Sequence, residues 1–320
     1  MSQEGVCIPR ELAAVPAGGR VALVAPASPP RPENVERAVA LLRGWGYEPV
    51  LGRHLLERHP DLPYLAGTDA QRAEDFVQAL TDTDVDAVMC VRGGYGSARM
   101  LALVDPAVVR GAPAKPFFGS SDITAIHTWF ADCCGRASWF SPMPATDAVL
   151  DDAASREGLQ RALQNGLAKA GVEDRSGLPQ RSASAGTVVT GRIRGGNLSL
   201  LAEGCLPGRR MGFDEPVIAL LEDVDEPAYH IDYMCRRLVD FGWFRGVVGI
   251  ALGSWLDCGR QPVVDAVVDD ALRELDIPVA SGFSFGHGPG AATLPLDVQG
   301  SLEICADGAV LRCGIDVDPR

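Results

Sequence analysis

A serine at the start of a predicted helix is the first residue whose position suggests chemistry. The apolar segment Lys115–Phe118 predicts a strand, Gly119 follows it, and the residues from Ile123 onwards have helical character. Ser121 therefore lies at a strand-to-helix turn, where backbone N–H groups can stabilise the oxyanion formed when a serine attacks a carbonyl. Local sequence leaves the choice open, because Ser120 is an equally good helix cap and most serines in this position only cap a helix.

A glycine-rich segment follows the earlier predicted strand Val85–Val91. Its sequence is Arg92-Gly93-Gly94-Tyr95-Gly96, and adjacent glycines let the backbone adopt unusual dihedral angles or approach a ligand closely. A dinucleotide site would need Gly-x-Gly-x-x-Gly after the first strand; here the last glycine is missing and the strand is the third. The pattern disfavours nucleotide binding and leaves a functional loop and a simple turn about equally supported.

An acid and a base in the second half of the chain would complete the chemistry. Glu222 follows the predicted strand Val217–Leu221 and could orient a histidine, although it could equally cap a helix. His287 is the one histidine of five with glycine on both sides, which gives its ring room to reach a substrate. A serine becomes an effective nucleophile only when a base such as histidine takes its proton. Each residue alone is more often structural than catalytic.

The elements that must position these residues alternate between strand and helix. Apolar runs predict strands at Val21–Ala25 and Tyr47–Leu51 before the two strands named above, and helix-spaced apolar residues lie between them. This alternation predicts an α/β fold, an N-terminal doubly wound parallel sheet of the Rossmann or flavodoxin type. Loops at the carboxyl ends of such strands carry the chemistry, which fits both Gly93 and Ser121.

The chain is predicted to divide into two domains. Residues 1–165 form the N-terminal domain, and the Ser-, Gly- and Pro-rich stretch at 166–185 predicts a linker. Residues 186–320 form a smaller C-terminal mixed α/β domain. Its predicted strands include Thr187–Ile193 and Val247–Leu252, and it ends in a hairpin around Asp307-Gly308.

Composition narrows the classes of partner and compartment. The net charge of -13 disfavours binding to nucleic acid or to an anionic membrane. No signal-peptide pattern and no apolar run of membrane-spanning length is visible, so a cytoplasmic protein is expected. The nine cysteines are odd in number and scattered, which favours free thiols over disulfides. No cluster of His, Cys, Asp or Glu has the spacing of a metal site.

Five ordered segments resemble a known family of serine peptidases. They are Arg92-Gly93-Gly94-Tyr95-Gly96, Gly119-Ser120-Ser121-Asp122-Ile123-Thr124, Gly195-Gly196-Asn197-Leu198, Leu221-Glu222-Asp223-Val224 and Gly286-His287. In this order they resemble the motifs of the LD-carboxypeptidases, or muramoyltetrapeptide carboxypeptidases, whose family also includes the microcin C immunity peptidases. The one departure is Ser120, where the family often has Tyr.

The resemblance implies a Ser-Glu-His triad of Ser121, Glu222 and His287. It implies an oxyanion hole made by the backbone N–H groups of Asp122 and of either Gly93 or Gly94. It further implies a partly barrel-like second domain, a homodimer, and hydrolysis through an acyl-enzyme without metal or organic cofactor. The implied substrate is a murein tetrapeptide, cut between a diamino acid and its terminal D-Ala during cell-wall peptide recycling.

Two other functions are compatible with the same residues. A microcin-immunity-like peptidase would cleave aminoacyl or peptidyl acyl-adenylate analogues with the same triad. A non-enzymatic α/β protein would bind a small ligand in the same cleft, although the intact triad disfavours it. The residue that binds a substrate carboxylate is left open among Arg92, Arg192 and Arg194.

Overall fold

The structure is a computed structural model that describes residues 12–167, 171–181, 184–208 and 211–314. No helix within these ranges has the length and apolar character needed to cross a membrane. Eight of the nine cysteines lie in them and all eight are free thiols, as expected; Cys7 lies outside the described residues.

Thirteen strands and ten α-helices make up the described chain. The strands are β1 (Arg20–Val24), β2 (Glu48–Leu51), β3 (Ala87–Cys90), β4 (Phe117–Gly119), β5 (Ser138–Phe140), β6 (Val172–Arg181), β7 (Val188–Asn197), β8 (Val217–Val224), β9 (Val247–Leu256), β10 (Val279–Ser281), β11 (Leu294–Leu296), β12 (Gln299–Ile304) and β13 (Ala309–Cys313). The helices are α1 (Pro32–Gly44), α2 (Asp69–Thr81), α3 (Ser97–Leu101), α4 (Pro106–Gly111), α5 (Thr124–Trp129), α6 (Asp147–Leu150), α7 (Ala153–Asn165), α8 (Leu198–Glu203), α9 (Ala228–Asp240) and α10 (Gln261–Ala271). A 3-10 turn, Ser121–Ile123, precedes α5, and a π-helical turn, Phe130–Cys134, follows it.

The first sheet has six strands in the order β11-β5-β4-β3-β1-β2. The pairs from β5 to β2 are parallel and β11 runs antiparallel. Alternate residues of β1 face opposite sides: Val21 and Leu23 share a core cluster with α1, whereas Ala22 and Val24 share one with α2. Both faces are therefore covered by helices, which confirms the predicted doubly wound sheet.

The second sheet closes into a barrel in the order β10-β6-β13-β12-β7-β8-β9. Neighbours from β7 to β10 are parallel, and the remaining pairs are antiparallel. In β8, Ile218 and Leu220 belong to the same core cluster as the first sheet, whereas Val217, Ala219 and Leu221 pack against α8, α9 and α10. This mixed barrel confirms the expected fold of the second part.

The predicted linker at 166–185 needs correction. Residues 172–181 form β6, which pairs with β13 and β10, so this part belongs to the barrel. Its Gly and Pro residues are typical of loops, but Gly177 lies where a Cβ would come within 2.4 Å of the Phe283 ring, so it makes room for core packing. Tertiary pairing has outweighed local preference here. The two predicted domains also share the first sheet, since β11 comes from the second.

Candidate active site

The backbone distinguishes Ser121 from its neighbour. Ser120 is buried and extended, with φ -152°, and its side chain caps no helix. Ser121 is half-buried and has φ 60°, one of four non-glycine residues with positive φ in the described chain. Such a conformation costs about 1–3 kcal/mol and concentrates at functional sites. A strained serine at a strand-to-helix turn has the geometry of a nucleophile held above the sheet.

Gly93 lies directly beside Ser121. A Cβ on Gly93 would come within 2.9 Å of the Ser121 Cβ and 3.1 Å of its Oγ, so only glycine leaves this space open. The next residue, Gly94, has φ 108° and packs so closely on Ser28 that a Cβ would lie 2.2 Å from its Oγ. Within the described residues, neither Gly93 nor Gly94 uses its N–H group in a hydrogen bond. Both N–H groups therefore remain candidates for the expected oxyanion hole.

The Asp122 side chain ties this glycine loop to the serine turn. Its Oδ2 accepts a hydrogen bond from the Ser97 N–H at 2.8 Å, and the Ser97 hydroxyl donates to the Asp122 carbonyl at 2.6 Å. Burial raises the pKa of the Asp122 carboxyl, while the hydrogen bonds from Ser97 oppose that rise. The contacts hold the Gly93 loop in register with the turn that carries Ser121.

Glu222 and His287 form a hydrogen-bonded pair. Glu222 lies near the end of β8 with its side chain fully buried, and its Oε2 is 2.7 Å from Nδ1 of His287, whose side chain is 22% exposed. Since the carboxylate accepts, Nδ1 carries the proton and Nε2 keeps a lone pair for a substrate-side proton. Gly286 makes room for the contact, because a Cβ there would lie 2.9 Å from Oε2 of Glu222.

The electrostatics of this pair favour a basic imidazole. Burial of the ring by itself would lower the pKa of His287. The charge of Glu222, its hydrogen bond and the charge of Asp223 outweigh burial, so the pKa of His287 is raised above its ordinary value of 6.5. The ring is also anchored through its backbone, because Ser254 Oγ accepts hydrogen bonds from the N–H groups of His287 (2.8 Å) and Gly288 (3.0 Å).

Contacts between the two sheets connect the helix after the serine turn with the strand that carries Glu222 and with the loop that carries His287. Thr124, at the start of α5, accepts a hydrogen bond at Oγ1 from the Asn197 N–H at 3.0 Å, and Asn197 in turn contacts Glu222. The rings of Phe140 and Phe285 pack edge to face with centroids 6.3 Å apart. No hydrogen bond joins Ser121 to His287 in the part of the chain that the structure describes.

The three candidate arginines differ in their partners. Arg192 pairs with Glu215 at 2.7 Å, and Arg194 pairs with Asp132 and Asp297 at 2.9 and 3.0 Å. Arg92 is exposed, directly precedes Gly93, and donates only to the Pro29 carbonyl within the described chain. Of the three, Arg92 is the one whose charge is not already met by a carboxylate.

Two polar residues of the site had no role assigned from sequence. Asn197 falls in one of the resembling segments, but nothing in that segment shows that its side chain reaches Glu222. Ser254 lies within β9, and nothing in the sequence around it indicates a role.

Two histidines outside the site have partners elsewhere in the fold: His54 pairs with Asp75, and His127 is buried between β4 and β5.

A cavity of about 470 Å³ lies between the two sheets but away from these residues. It is lined by residues of α5, α8 and the segment after α8, among them Trp129, Leu201 and Phe213, and by Arg194. Ser121, Glu222 and His287 do not contribute to its walls.

Across the described ranges, no three His, Cys, Asp or Glu residues are grouped so as to hold a metal ion.

Comparison with known proteins shows similarity over most of the chain. Residues 21–141 match the LD-carboxypeptidase N-terminal domain and residues 190–302 match the C-terminal domain. The chain is 40% identical over 296 residues to a putative carboxypeptidase of Streptomyces coelicolor, covering 89% of this chain and 91% of that protein. It is 32% identical over 305 residues to the murein tetrapeptide carboxypeptidase of Pseudomonas aeruginosa, covering 90% and 94%.

Solved structures share the fold over nearly the whole chain. The muramoyltetrapeptide carboxypeptidase from Oxalobacter formigenes superposes with a TM-score of 0.74 at 24% identity, covering 92% of this chain and 98% of that one. The microcin C7 self-immunity protein MccF superposes with a TM-score of 0.78 at 20% identity, covering 95% and 99%. Since both domain models match and the identity extends over most of its length, this chain belongs to the LD-carboxypeptidase family of peptidases.

Proposed function

We propose that the protein is a serine-type LD-carboxypeptidase that removes the terminal D-Ala from murein tetrapeptides. Ser121 is the nucleophile, His287 the general base and acid, and Glu222 the carboxylate that orients His287. The observation that carries the proposal is the part-buried Glu222–His287 hydrogen bond of 2.7 Å. The loop that carries His287 contacts the sheet that precedes the strained Ser121 turn.

The proposed reaction has two acyl-transfer steps. Ser121 Oγ attacks the carbonyl of the diamino acid while Nε2 of His287 takes the hydroxyl proton, and Glu222 stabilises the imidazolium. The N–H groups of Asp122 and of Gly93 or Gly94 stabilise the oxyanion. The C–N bond then breaks, and His287 gives its proton to the amine of the departing D-Ala. Water, deprotonated by His287, hydrolyses the acyl-enzyme and releases the shortened peptide.

Arg92 is the proposed partner of the substrate's terminal carboxylate. It is next to Gly93, and its guanidinium lacks the carboxylate partners that Arg192 and Arg194 have. An exposed cation at this position can bind a free carboxylate but gains nothing from an amide. A carboxypeptidase built in this way favours substrates with a free C-terminus, because an amide cannot form the charge-assisted hydrogen bonds that a carboxylate makes with the guanidinium.

The murein substrate is supported by the Pseudomonas aeruginosa relative, which is a murein tetrapeptide carboxypeptidase, at 32% identity over most of both chains. The alternative is cleavage of aminoacyl or peptidyl acyl-adenylate analogues. It is favoured by the fold shared with MccF, solved in complex with aspartyl sulfamoyl adenosine.

As part of the same proposal, the protein acts in the cytoplasm during murein peptide recycling and forms a homodimer. Light scattering of the purified protein can test the homodimer.

Three substrates compared side by side test the proposal. They are a murein tetrapeptide with free C-terminal D-Ala, its C-terminal amide, and an aminoacyl sulfamoyl adenosine, with products identified by mass spectrometry. We expect release of D-Ala from the first and a kcat/KM lower by about 100-fold or more for the amide. Equal rates on tetrapeptide and amide, or turnover of the adenosine compound alone, would contradict the murein proposal.

A further inference from the structure

Asn197 lies where the two halves of the candidate site meet. It is the last residue of β7 and the N-cap of α8, and it is 2% exposed. Its backbone N–H donates to Oγ1 of Thr124 at 3.0 Å. Thr124 follows Ser121 by three residues and begins α5. Its side-chain amide donates from Nδ2 to Glu222 Oε1 at 3.3 Å and to Asp223 Oδ1 at 2.8 Å. Asn197 thus contacts both α5, the helix after the Ser121 turn, and the carboxylate of the proposed triad.

Two glycines bring Asn197 into this position. Gly195 has φ 127° and Gly196 φ 137°, a region that favours glycine. A Cβ on Gly195 would lie 2.0 Å from the Leu220 carbonyl oxygen, and one on Gly196 would lie 2.6 Å from Thr124 Oγ1. The backbone of β7 can therefore approach both β8 and α5 closely, and Asn197 is held between them.

The amide of Asn197 faces two adjacent buried carboxylates. Asp223 also accepts hydrogen bonds from the N–H groups of Ser199 and Val224, both at 2.9 Å. Burial and the neighbouring charge of Glu222 raise the pKa of Asp223 to about 6. Glu222 has fewer donors: His287 binds Oε2 and Asn197 binds Oε1. Because a buried carboxylate oxygen needs a hydrogen-bond donor, the Asn197 amide holds Oε1 of Glu222 in place while His287 binds Oε2.

We propose that Asn197 is a positioning residue that fixes the Glu222 carboxylate for His287 and anchors it to α5, the helix that follows the Ser121 turn. The inference rests on the proposed function, in which Glu222 orients His287. The Asn197 side-chain oxygen has a separate task, since it accepts hydrogen bonds from Ser199 Oγ at 2.6 Å and from the Leu200 N–H at 3.4 Å as the cap of α8. Capping and carboxylate positioning can be separated by substitution.

The expected effect on His287 has a definite sign. In the described chain, the charged groups that act on the His287 ring are Glu222 and Asp223, both in β8. Without the Asn197 amide, Glu222 Oε1 has no side-chain donor in the described chain, so the carboxylate is free to rotate away from His287. A weaker anionic partner lowers the pKa of His287, and a less well oriented imidazole lowers kcat.

The test compares Asn197→Ser with a capping control. Serine at 197 keeps an N-cap oxygen but has no amide to donate to Glu222. Asp105→Ala is the matched control, because it removes the cap of α4, where the Asp105 side chain accepts from the Ala107 N–H. Asn197→Thr, also an N-cap residue, repeats the test if the serine variant does not fold. The His287 pKa is measured by histidine NMR titration, with His287→Gln assigning the signal.

We expect Asn197→Ser to lower the pKa of His287 by about 0.5 or more and to lower kcat about 10-fold or more, with KM little changed. Asp105→Ala should leave the pKa, kcat and KM unchanged. A His287 pKa that is the same in Asn197→Ser and wild type would overturn the inference, even if wild type cleaves the tetrapeptide. The NMR titration needs no substrate, so a lowered pKa in an enzyme that fails to cleave the tetrapeptide would refute the proposed function alone.

Discussion

At the scale of single residues, adjacent serines occupy quite different surroundings. Ser121 is half-buried in a left-handed backbone conformation beside Gly93, whereas Ser120 is buried and extended. A conformation that costs free energy is maintained because the Ser97–Asp122 contacts and the start of α5 hold the turn. The fold therefore leaves the side chain of Ser121, and not that of Ser120, partly exposed.

Replacing Ser121 with alanine should remove the proposed nucleophile and leave the fold intact. We expect Ser121→Ala to lower kcat/KM for the tetrapeptide by about 1000-fold or more. The matched change Ser120→Ala should have a much smaller effect, since its side chain faces the interior. Initial rates and circular dichroism of both variants provide the measurement. Near-normal turnover by Ser121→Ala would show that the triad assignment is wrong.

The pH dependence of kcat/KM should report the Glu222–His287 pair. The base must be neutral to take the serine proton, and the pKa of His287 is raised. Activity should therefore increase with pH through an apparent pKa above the ordinary histidine value of about 6.5.

Glu222→Gln is the variant that checks this pH profile. The substitution removes the charge that raises the His287 pKa, so the acid limb should move to lower pH while kcat falls. A profile for Glu222→Gln that coincides with wild type would contradict the pairing as the source of the shift.

At the scale of elements, the buried residue His127 connects α5, the helix after the Ser121 turn, to the first sheet. His127 on α5 donates from Nε2 to the Gly119 carbonyl of β4 at 2.9 Å, and its Nδ1 accepts from the Ser138 hydroxyl of β5 at 2.8 Å. Burial lowers the pKa of His127 to about 4, with the Gly119 hydrogen bond opposing part of that effect. The ring is thus a neutral link beneath the turn that carries Ser121.

Lowering the pH should reduce the stability contributed by neutral His127 at pH values where most carboxylates are still ionised. Between pH 6.5 and about 4, His127 is protonated in the unfolded chain but neutral in the folded one, so the free energy of unfolding falls as pH falls. We expect His127 to contribute a loss of about 2 kcal/mol between about pH 7 and about pH 4.5.

Urea unfolding of wild type and His127→Gln at both pH values isolates this contribution. Other titrating groups, such as Asp223, act in both proteins, so the difference between the two reports on position 127. A difference that does not change with pH would show that His127 is not held neutral in the folded state.

At the scale of the whole molecule, the second half of the chain supplies a strand to the first sheet, and the two sheets share a core. Leu294–Leu296 come from the second half of the chain but pair with β5 at the edge of the first sheet. One core cluster includes Leu23 and Trp139 of the first sheet together with Ile218 and Leu302 of the barrel. Unfolding either sheet alone would expose apolar surface of the other.

The two sheets should therefore unfold together. Pulse-labelling hydrogen exchange at increasing denaturant, read by mass spectrometry, can follow peptides from β3 and β4 separately from peptides of β8 and β9. We expect the two groups to lose protection at the same denaturant concentration, because the shared core makes unfolding cooperative. Two transitions separated by more than the measurement error would show that the sheets unfold independently.

The sequence by itself determined most of the local structure and the identity of the candidate residues. The strand before Ser121 and the hairpin that joins β12 to β13 follow from short-range rules of period and turn chemistry. The ordered motifs were enough to select Ser121, Glu222 and His287 as candidates, because residue types and the order of motifs can be read without knowledge of the fold.

Only the tertiary structure decided which distant groups meet. The linker-like residues of β6 became a barrel strand because β13 and β10 supply its partners. His287 meets Glu222 from 65 positions away, and Asn197 contacts Thr124 and Glu222 because Gly195 and Gly196 let β7 approach α5 and β8. The physical reason is common to all three: local propensity depends on neighbouring residues, whereas a pairing partner or a close approach depends on surfaces that exist only after the chain has folded.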